Sequence, residues 1–489
     1  MASLNYQDPG VYSQRAKTTP VVQGLSTATC GFVGVCKRGR IDRPFLVTSF
    51  ADFVEKCAKG MDSPYLANSY LAWAVDAYFK NGGGNLYISR VHTDKIKSAK
   101  ATVTYESPNT GTLILEANDP GAWGNSVKVS CTKNELVEGT FDVTVKVGTD
   151  VETHSMLSND ETDSKYFIDY LTVYSKYIHV LSGKLAPFVE AKAAFSGGDD
   201  GEENLLDKHY LEALNKLGDV EEVVSVAIPG ATSEVLLKGI CDYVDNRKFS
   251  FAALDAPMTY KTEDLRDLRK KLSCKNAVLL SSWVKVNDEL SSVNGKLRAI
   301  PSSGGYLGIL SATQTEPGPW KDPAGADARI RGAVELVFDA QSGDRKILNP
   351  IGVVSISNKK NMGIVVWGAR SITTDTGYLY VSAIMMDIYV RKSIEEATQS
   401  LVFEPNKGEG ETALWSRIET AAASFLDFIM RQGALASTDA STAYFVQCDK
   451  ETNPKSITDR GYCVCKIGYA YVKPAEFIVF EVMNEIKTA

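Results

Sequence analysis

VVSVAIPG, residues 223–230, is followed by FSFAALDAP at 249–257 and NAVLLSSWVKV at 276–286. Each run is short and apolar on both of its alternating faces, which is the pattern of a strand covered on two sides. Helical stretches such as KHYLEALNKL (208–217) separate runs of this kind, and GYLGILSATQ (305–314) reads as one more strand of the series. Short apolar strands alternating with helices predict a parallel α/β sheet.

Working outward, FVGVC (32–36) and LYISRV (86–91) have the same character. Between them the spacing predicts a strand at PFLVTS, a helix from Phe50, and a longer helix over SPYLANSYLAWAVDAYFKNGGG (63–84). Ser63 is its expected N-cap, and Asn81-Gly82 its stop. From 96 to 199 the helical period fades. KATVTYE, GTLILEAN, SVKVSCTK and GTFDVTVKVG alternate with turns such as PGAWGN (120–125), which predicts a small antiparallel β-domain leaving through FSGGDDGEEN (195–204). The last third reads as strands at IGVVSISN and GIVVWGARS, two long helices, then strands at AYFVQCD and CVCKIGYAYV. In the second helix, Leu414, Ile418, Ala421, Phe425 and Phe428 mark the expected buried face. The fold class is mixed α/β: a discontinuous α/β core (25–95 and 200–345), an inserted β-domain (96–199), an α+β C-terminal domain (346–473), and terminal arms at 1–24 and 474–489.

Those arms are unusual. PAEFIVFEVMNEI (474–486) reads as a strand apolar on both faces, and PGVYSQRA (9–16) as a second strand; neither has a local hairpin mate. A strand cannot leave its N–H and C=O groups unpaired beside apolar side chains. It pairs within the chain or with another chain, and two such segments suggest strand addition between chains.

Composition is that of a globular protein, 44% hydrophobic and 23% charged, and the net charge of -7 argues against a general nucleic-acid binder. The N-terminus lacks an apolar signal core and no run of about 18 apolar residues occurs, so neither secretion by a signal peptide nor membrane insertion is expected, and folding in a cytoplasm is. Nine cysteines form no CxxC. Cys463 and Cys465 share one face of a predicted strand, half of a metal site on spacing alone, but small buried apolar residues is the reading preferred. The glycines of NGGGN (81–85) follow a helix and precede a strand, the reverse of a phosphate loop. SGGDDG lacks the spaced ligands of a calcium loop, the four histidines form no HxxxH, and GxSxG is absent. PGPWKDPAG (317–325) reads as a rigid surface loop. No catalytic, cofactor or metal residue is predicted.

Ordered motifs nevertheless run the length of the chain: PGVY (9–12), STATCGFVGVCKRGRIDRPFLVTSFADF (26–53), YLANSYLAWAVDAYFKNGGGNLYISRV (65–91), NDPGAWGNSVKV (118–129) and FSGGDDG. IPSSGGYLGILSATQTEPGPWKDPAG (300–325), VWGARS (366–371), VFEPN (402–406) with LW (414–415), FVQCDKETNP (445–454) and KPAEFIVFEV (473–482) complete them. Together they resemble the tail sheath proteins of contractile phages and related contractile injection particles, bacteriocins included. KGEGETA between VFEPN and LW is longer than that pattern, and 135–195 carries no motif of it.

The resemblance implies a structural subunit rather than an enzyme. Such subunits stack as hexameric rings around a tail tube, beginning at a baseplate and ending at a terminator, and contract without a cofactor to drive the tube through an envelope. It implies a virion tail or an extracellular particle assembled in a bacterial cytoplasm. It also implies arms exchanged between subunits through Pro9, Gly10, Val11 and Tyr12 at one end, and Phe477, Ile478, Val479, Phe480 and Val482 at the other. A C-terminal domain facing the tube makes Arg391, Lys392, Arg417 and Arg431 candidate tube contacts. Two other readings stay open: an α/β enzyme with a nucleotide or small-molecule site in 200–345, and a static capsid or tube component.

Overall fold

Five of the apolar runs quoted above, those at 223–230, 249–257, 276–286, 32–36 and 86–91, supply adjacent strands of one sheet. The structure is a computed structural model that describes residues 22, 24–105, 111–183, 192–408, 413–477 and 479. It has two compact units: Ser26–Met385, and Met386–Ala489 with Met1–Leu25.

The first unit opens with β1 (Cys30–Gly34), β2 (Phe45–Val47), α1 (Phe50–Cys57), α2 (Leu71–Lys80) and β3 (Leu86–Arg90). Ser49 caps α1 by accepting from the Asp52 N–H. The predicted longer helix is shorter than expected and Ser63 is not its cap. Residues 63–70 are held irregular by the Ser69 hydroxyl, which donates to the Val35 carbonyl, and by rings of Tyr65 against Trp73 and Tyr70 against Trp283. Asn81 does end the helix, and Gly82 follows at a left-handed φ of 90°.

The insertion comes next. It holds β4 (Lys100–Tyr105), β5 (Gly111–Ala117), β6 (Lys128–Lys133), β7 (Phe141–Val147), β8 (Asp150–Leu157), α3 (Phe167–Tyr174), β9 (Ile178–Ser182) and β10 (Lys192–Ala194). Two antiparallel sheets, in the orders β4-β5-β9 and β10-β6-β7-β8, close over their own core of Leu113, Leu115, Trp123, Val143, Val145 and Phe167. Two arginines join it to the ends of β1 and β3. Arg38 pairs with Asp119 at 2.9 Å, donates to the Lys176 carbonyl, and faces both the Trp123 and Tyr177 rings. Arg90 donates to the carbonyls of Lys37, Gly39 and Pro120.

The chain then returns to the core as α4 (Asp207–Leu217), β11 (Ser225–Ala227), α5 (Glu234–Asn246), β12 (Phe251–Asp255), α6 (Thr262–Lys271) and β13 (Ala277–Leu280). It continues through β14 (Val284–Asn287), β15 (Leu297–Ile300), α7 (Ser303–Thr315), β16 (Glu335–Leu336), α8 (Ser342–Leu348), β17 (Val353–Val354), β18 (Ile356–Lys359) and β19 (Gly363–Val366). The main sheet runs β17-β13-β12-β11-β1-β3-β2, parallel except for the β2 edge. Val33, Val226, Leu254 and Leu279 pack with Leu214, Leu237, Ile240 and Leu265 of α4–α6, while Phe32 meets the Tyr78 ring of α2 at 5.5 Å.

GYLGILSATQ, predicted as a strand, is helix α7. Its residues from Ser303 to Ser311 are all buried, so that stretch has no solvent face to betray its period. Gly304 and Gly308, one turn apart, let it lie directly on the Ala74 and Tyr78 backbone of α2.

The predicted C-terminal domain began at 346, whereas the compact units divide at 385/386. Val353 and Val354 complete the far edge of the parallel sheet beside Leu279 and Leu280, which ties this segment to the core. α9 (Val381–Thr398) spans the division. The second unit continues with α10 (Leu414–Arg431), β20 (Tyr444–Gln447) and β21 (Lys466–Tyr469).

Candidate assembly surfaces

The smaller unit is built on α10. Its buried stripe is Ala421, Ala422, Phe425, Leu426, Ile429 and Met430, the i, i+4 spacing of a helix face. Phe428, predicted to share that face, is instead exposed; Ile429 takes the inward position one residue later. At the helix start the Trp415 indole donates to Asn406 at 2.6 Å, joining the LW and VFEPN motifs in space. Within VFEPN the chain turns at Phe403, whose φ is 70° and whose side chain is wholly exposed. An apolar side chain in solvent on a left-handed backbone is doubly unfavourable for a free subunit.

β20 and β21 pair antiparallel from Tyr444↔Tyr469 to Gln447↔Lys466. They form a two-stranded sheet that no third strand joins among the described residues. Two strands alone are marginal in water; here β20 packs on α10, and an isolated bridge pairs Leu435 with Tyr471 just past β21. Phe445, on the outward side of β20, is exposed.

The C-terminal segment belongs to no strand from Val472 to Phe477 or at Val479. Phe477 is 75% exposed and Val479 80%. Ile478, Phe480 and Val482 lie outside the described residues, as do Pro9, Gly10, Val11 and Tyr12. At the other end, the Leu25 N–H donates to the Ser393 hydroxyl of α9 at 3.0 Å.

The four basic candidates differ. Arg431 is exposed and pairs with Asp427 at 2.7 Å, one turn back on α10. Arg391 pairs in the same way with Asp387 on α9 at 2.7 Å, beside the half-buried Lys392. Arg417 is 11% exposed and sits 3.5 Å from Glu404, bracing the VFEPN turn. Arg391 and Arg431 thus present charge at the surface, whereas Arg417 is spent inside the unit. Phe403, Phe428 and Phe445 were not singled out as surface residues. The VF pair directly before Glu-Pro-Asn was the one available signal.

In the 200–345 region the conspicuous carboxylate is Asp255 at the carboxyl end of β12. Both its oxygens are occupied: Ser303 donates its N–H at 3.0 Å and its hydroxyl at 2.6 Å, and the Gly230 N–H donates at 3.3 Å. It holds the start of α7 against the sheet and is 2% exposed. Among the described residues no group of three His, Cys, Asp or Glu side chains is placed to hold a metal ion.

The phage tail sheath C-terminal domain family matches residues 373–484. The tail sheath protein of Vibrio phage KVP40 (isolate Vibrio parahaemolyticus/Japan/Matsuzaki/1991) is 27% identical over 198 residues, 40% of this chain. The match spans 28% of that relative's length. Among solved structures, the PVC sheath complex of an extracellular contractile injection system, in the contracted state, is similar at a TM-score of 0.60 and 20% identity, covering 99% of each chain. The helical sheath of the anti-feeding prophage, also contracted, is similar at 0.61 and 19% identity, covering 98% of this chain and 99% of that one.

Proposed function

From the match of residues 373–484 to the phage tail sheath C-terminal domain family, we propose that this chain is a sheath subunit of a contractile tail. Its role is structural and non-enzymatic. Copies stack as hexameric rings around a tail tube, from a baseplate to a terminator, in a virion tail or an extracellular particle assembled in the bacterial host cytoplasm. Contraction drives the tube through the target envelope.

One juxtaposition supports this reading: a two-stranded sheet, β20–β21, in the same unit as an apolar terminal segment whose described residues, Val472–Phe477 and Val479, join no strand. The arms of one copy complete the sheet of the next. Main-chain hydrogen bonds then form a joint that survives rigid-body movement. A head-to-tail contact of this kind does not close on itself and grows a helical assembly. The exposed Phe403 and Phe445 lie in the surface that neighbouring copies cover. The insertion, 96–199, lies on the outside, and α9 and α10 face the tube through Arg391, Lys392, Arg417 and Arg431, with the exposed Arg391 and Arg431 as principal contacts.

Electron microscopy of the purified protein tests the assembly. Concentrated full-length protein polymerises into wide hollow tubes; a persistent monomer at high concentration contradicts the reading. Reversing Arg391 and Arg431 to Glu leaves those tubes intact and lowers the yield of extended tails. An unchanged yield removes the tube-facing assignment.

A further inference from the structure

Cys448 follows β20 directly and Cys465 precedes β21 directly, so both stand at the base of the hairpin. The Sγ atoms of Cys448 and Cys463 are 3.9 Å apart, and Cys465 packs against the same small cluster as Cys463. The buried Asn453 holds this arrangement. Its amide donates to the Val464 carbonyl at 2.9 Å, its oxygen accepts from the Val464 N–H at 2.6 Å, and its amide approaches the Cys448 sulfur at 3.8 Å. Val464 is thereby clamped on both backbone groups, and the cysteines on either side of it are presented to Cys448.

Access separates this cluster from the other thiols. Cys448 is buried, but Cys463 and Cys465 are partly exposed. Cys36, Cys57, Cys241 and Cys274 are all buried. The geometry offers no metal cage among the described residues. We propose that Cys448, Cys463 and Cys465 form a thiol–disulfide site, in which a low-molecular-weight disulfide oxidises the pair to a Cys448–Cys463 bond and Cys465 begins the reaction.

The Cys465 thiolate attacks one sulfur of the small disulfide, forming a mixed disulfide and releasing the first small thiol. Cys448 attacks the Cys465 sulfur and releases the second. Cys463 then attacks Cys448, and Cys465 leaves as thiolate. Two protein thiols are oxidised and one small disulfide is reduced to two thiols. The environment favours Cys465 for the first step, whereas the bond with Cys448 and burial raise the Cys463 thiol, so the two later exchanges are the slow ones. The hydrogen bond from Cys448 holds the Cys465 thiol below its usual range, which suits it as attacker and as leaving group. At Cys448 the bond with Cys463 pulls downward, but Cys465 and burial push the thiol up to about 12. The bond closes the loop from Asp449 to Tyr462 onto the end of β20. If β20–β21 receives a neighbour's arm, as proposed above, oxidation stiffens the receiver.

The test is a thiol count and a fragmentation-resolved peptide map of the full-length protein after oxidised glutathione or dithiothreitol. The expected result is a loss of two thiols per chain, with Cys448 joined to Cys463. Cys465→Ser slows closure roughly tenfold and gives the same product, whereas Cys448→Ser abolishes it. Cys463→Ser stops the sequence at a Cys448–Cys465 bond. An unchanged thiol count under excess oxidised glutathione overturns the proposal, as does a bond at any other pair or between two chains. Tube formation is not the readout, so failure of the sheath reading is detected separately.

Discussion

Gly304 has no side chain because the α2 backbone occupies the space one would fill. A Cβ there would stand 2.5 Å from the Ala74 carbonyl oxygen and 2.6 Å from its Cα, and neither is the movable end of a side chain. Gly304→Ala therefore forces α7 away from α2. We expect a loss of about 1–3 kcal/mol in denaturant unfolding, the range of overpacked cores; Gly343→Ala, with open space around it, serves as the control. Asp255 makes a different prediction. Burial pushes its carboxyl from 3.8 up to about 6, against the hydrogen bonds from Ser303 and Gly230. The fold thus favours the neutral acid. That contribution is full below about pH 4 and is lost as pH rises through about 6, an effect on the order of 3 kcal/mol for a shift of this size. Asp255→Asn keeps an acceptor for Ser303 and cannot ionise. Unfolding measured from pH 4 to 7 should show the wild type losing stability relative to Asp255→Asn as pH rises; parallel profiles would contradict the assignment.

At the scale of elements, the parallel strands were legible because they are buried on two sides and separated by helices with one polar face. The same criterion failed at α7. A helix buried all round shows an unbroken apolar run, and GYLGILSATQ carries the glycines that allow such burial without showing that a helix needs them. On α10 both Phe428 and Ile429 suit the next inward position after Phe425, and only packing chooses between them. The terminal segment reads as apolar and unmated, but a partner for it is not written in its own residues, and the basic side chains of α9 and α10 show charge without showing what they face. The insertion was legible as β-structure through β7; β8, α3 and β9 fall where no motif was recognised. Its attachment could not be read at all, since Arg38, Asp119 and Lys176 are far apart in sequence. Arg38→Ala leaves Asp119, 17% exposed, without its cation. We expect a loss of about 3 kcal/mol, as for a broken buried pair, with faster amide exchange in the insertion than in β11–β13. Uniform acceleration would mean that the insertion and sheet open together.

For the whole molecule the question is whether the terminal arm stabilises its own unit or the assembly. Deleting Ala475–Ala489 removes Phe477, Ile478, Val479, Phe480 and Val482. Burying each of these side chains contributes about 1.5–3 kcal/mol, reduced by roughly 1–2 kcal/mol per residue for ordering the backbone. Phe477 and Val479 remain largely exposed and pair in no ladder in the single chain, so at those two positions nothing is gained until another surface covers them. The stripe of α10 and the Trp415–Asn406 bond, by contrast, use no residue beyond 474. The truncated protein should therefore melt within about 2 °C of full length, because 1 kcal/mol moves the midpoint of a domain of this size by about 2–4 °C. It should also stay soluble and form no tubes. Removing Met1–Val21, which lie outside the described residues, should act in the same direction but less severely, since PGVYSQRA is less apolar than EFIVFEV. A melt lowered by many degrees, with new binding of an apolar dye, would show that the strand belongs to its own unit. Normal tubes from the truncated chain would end the arm-exchange reading, because the sheet that β20 and β21 leave open would then be completed by something else.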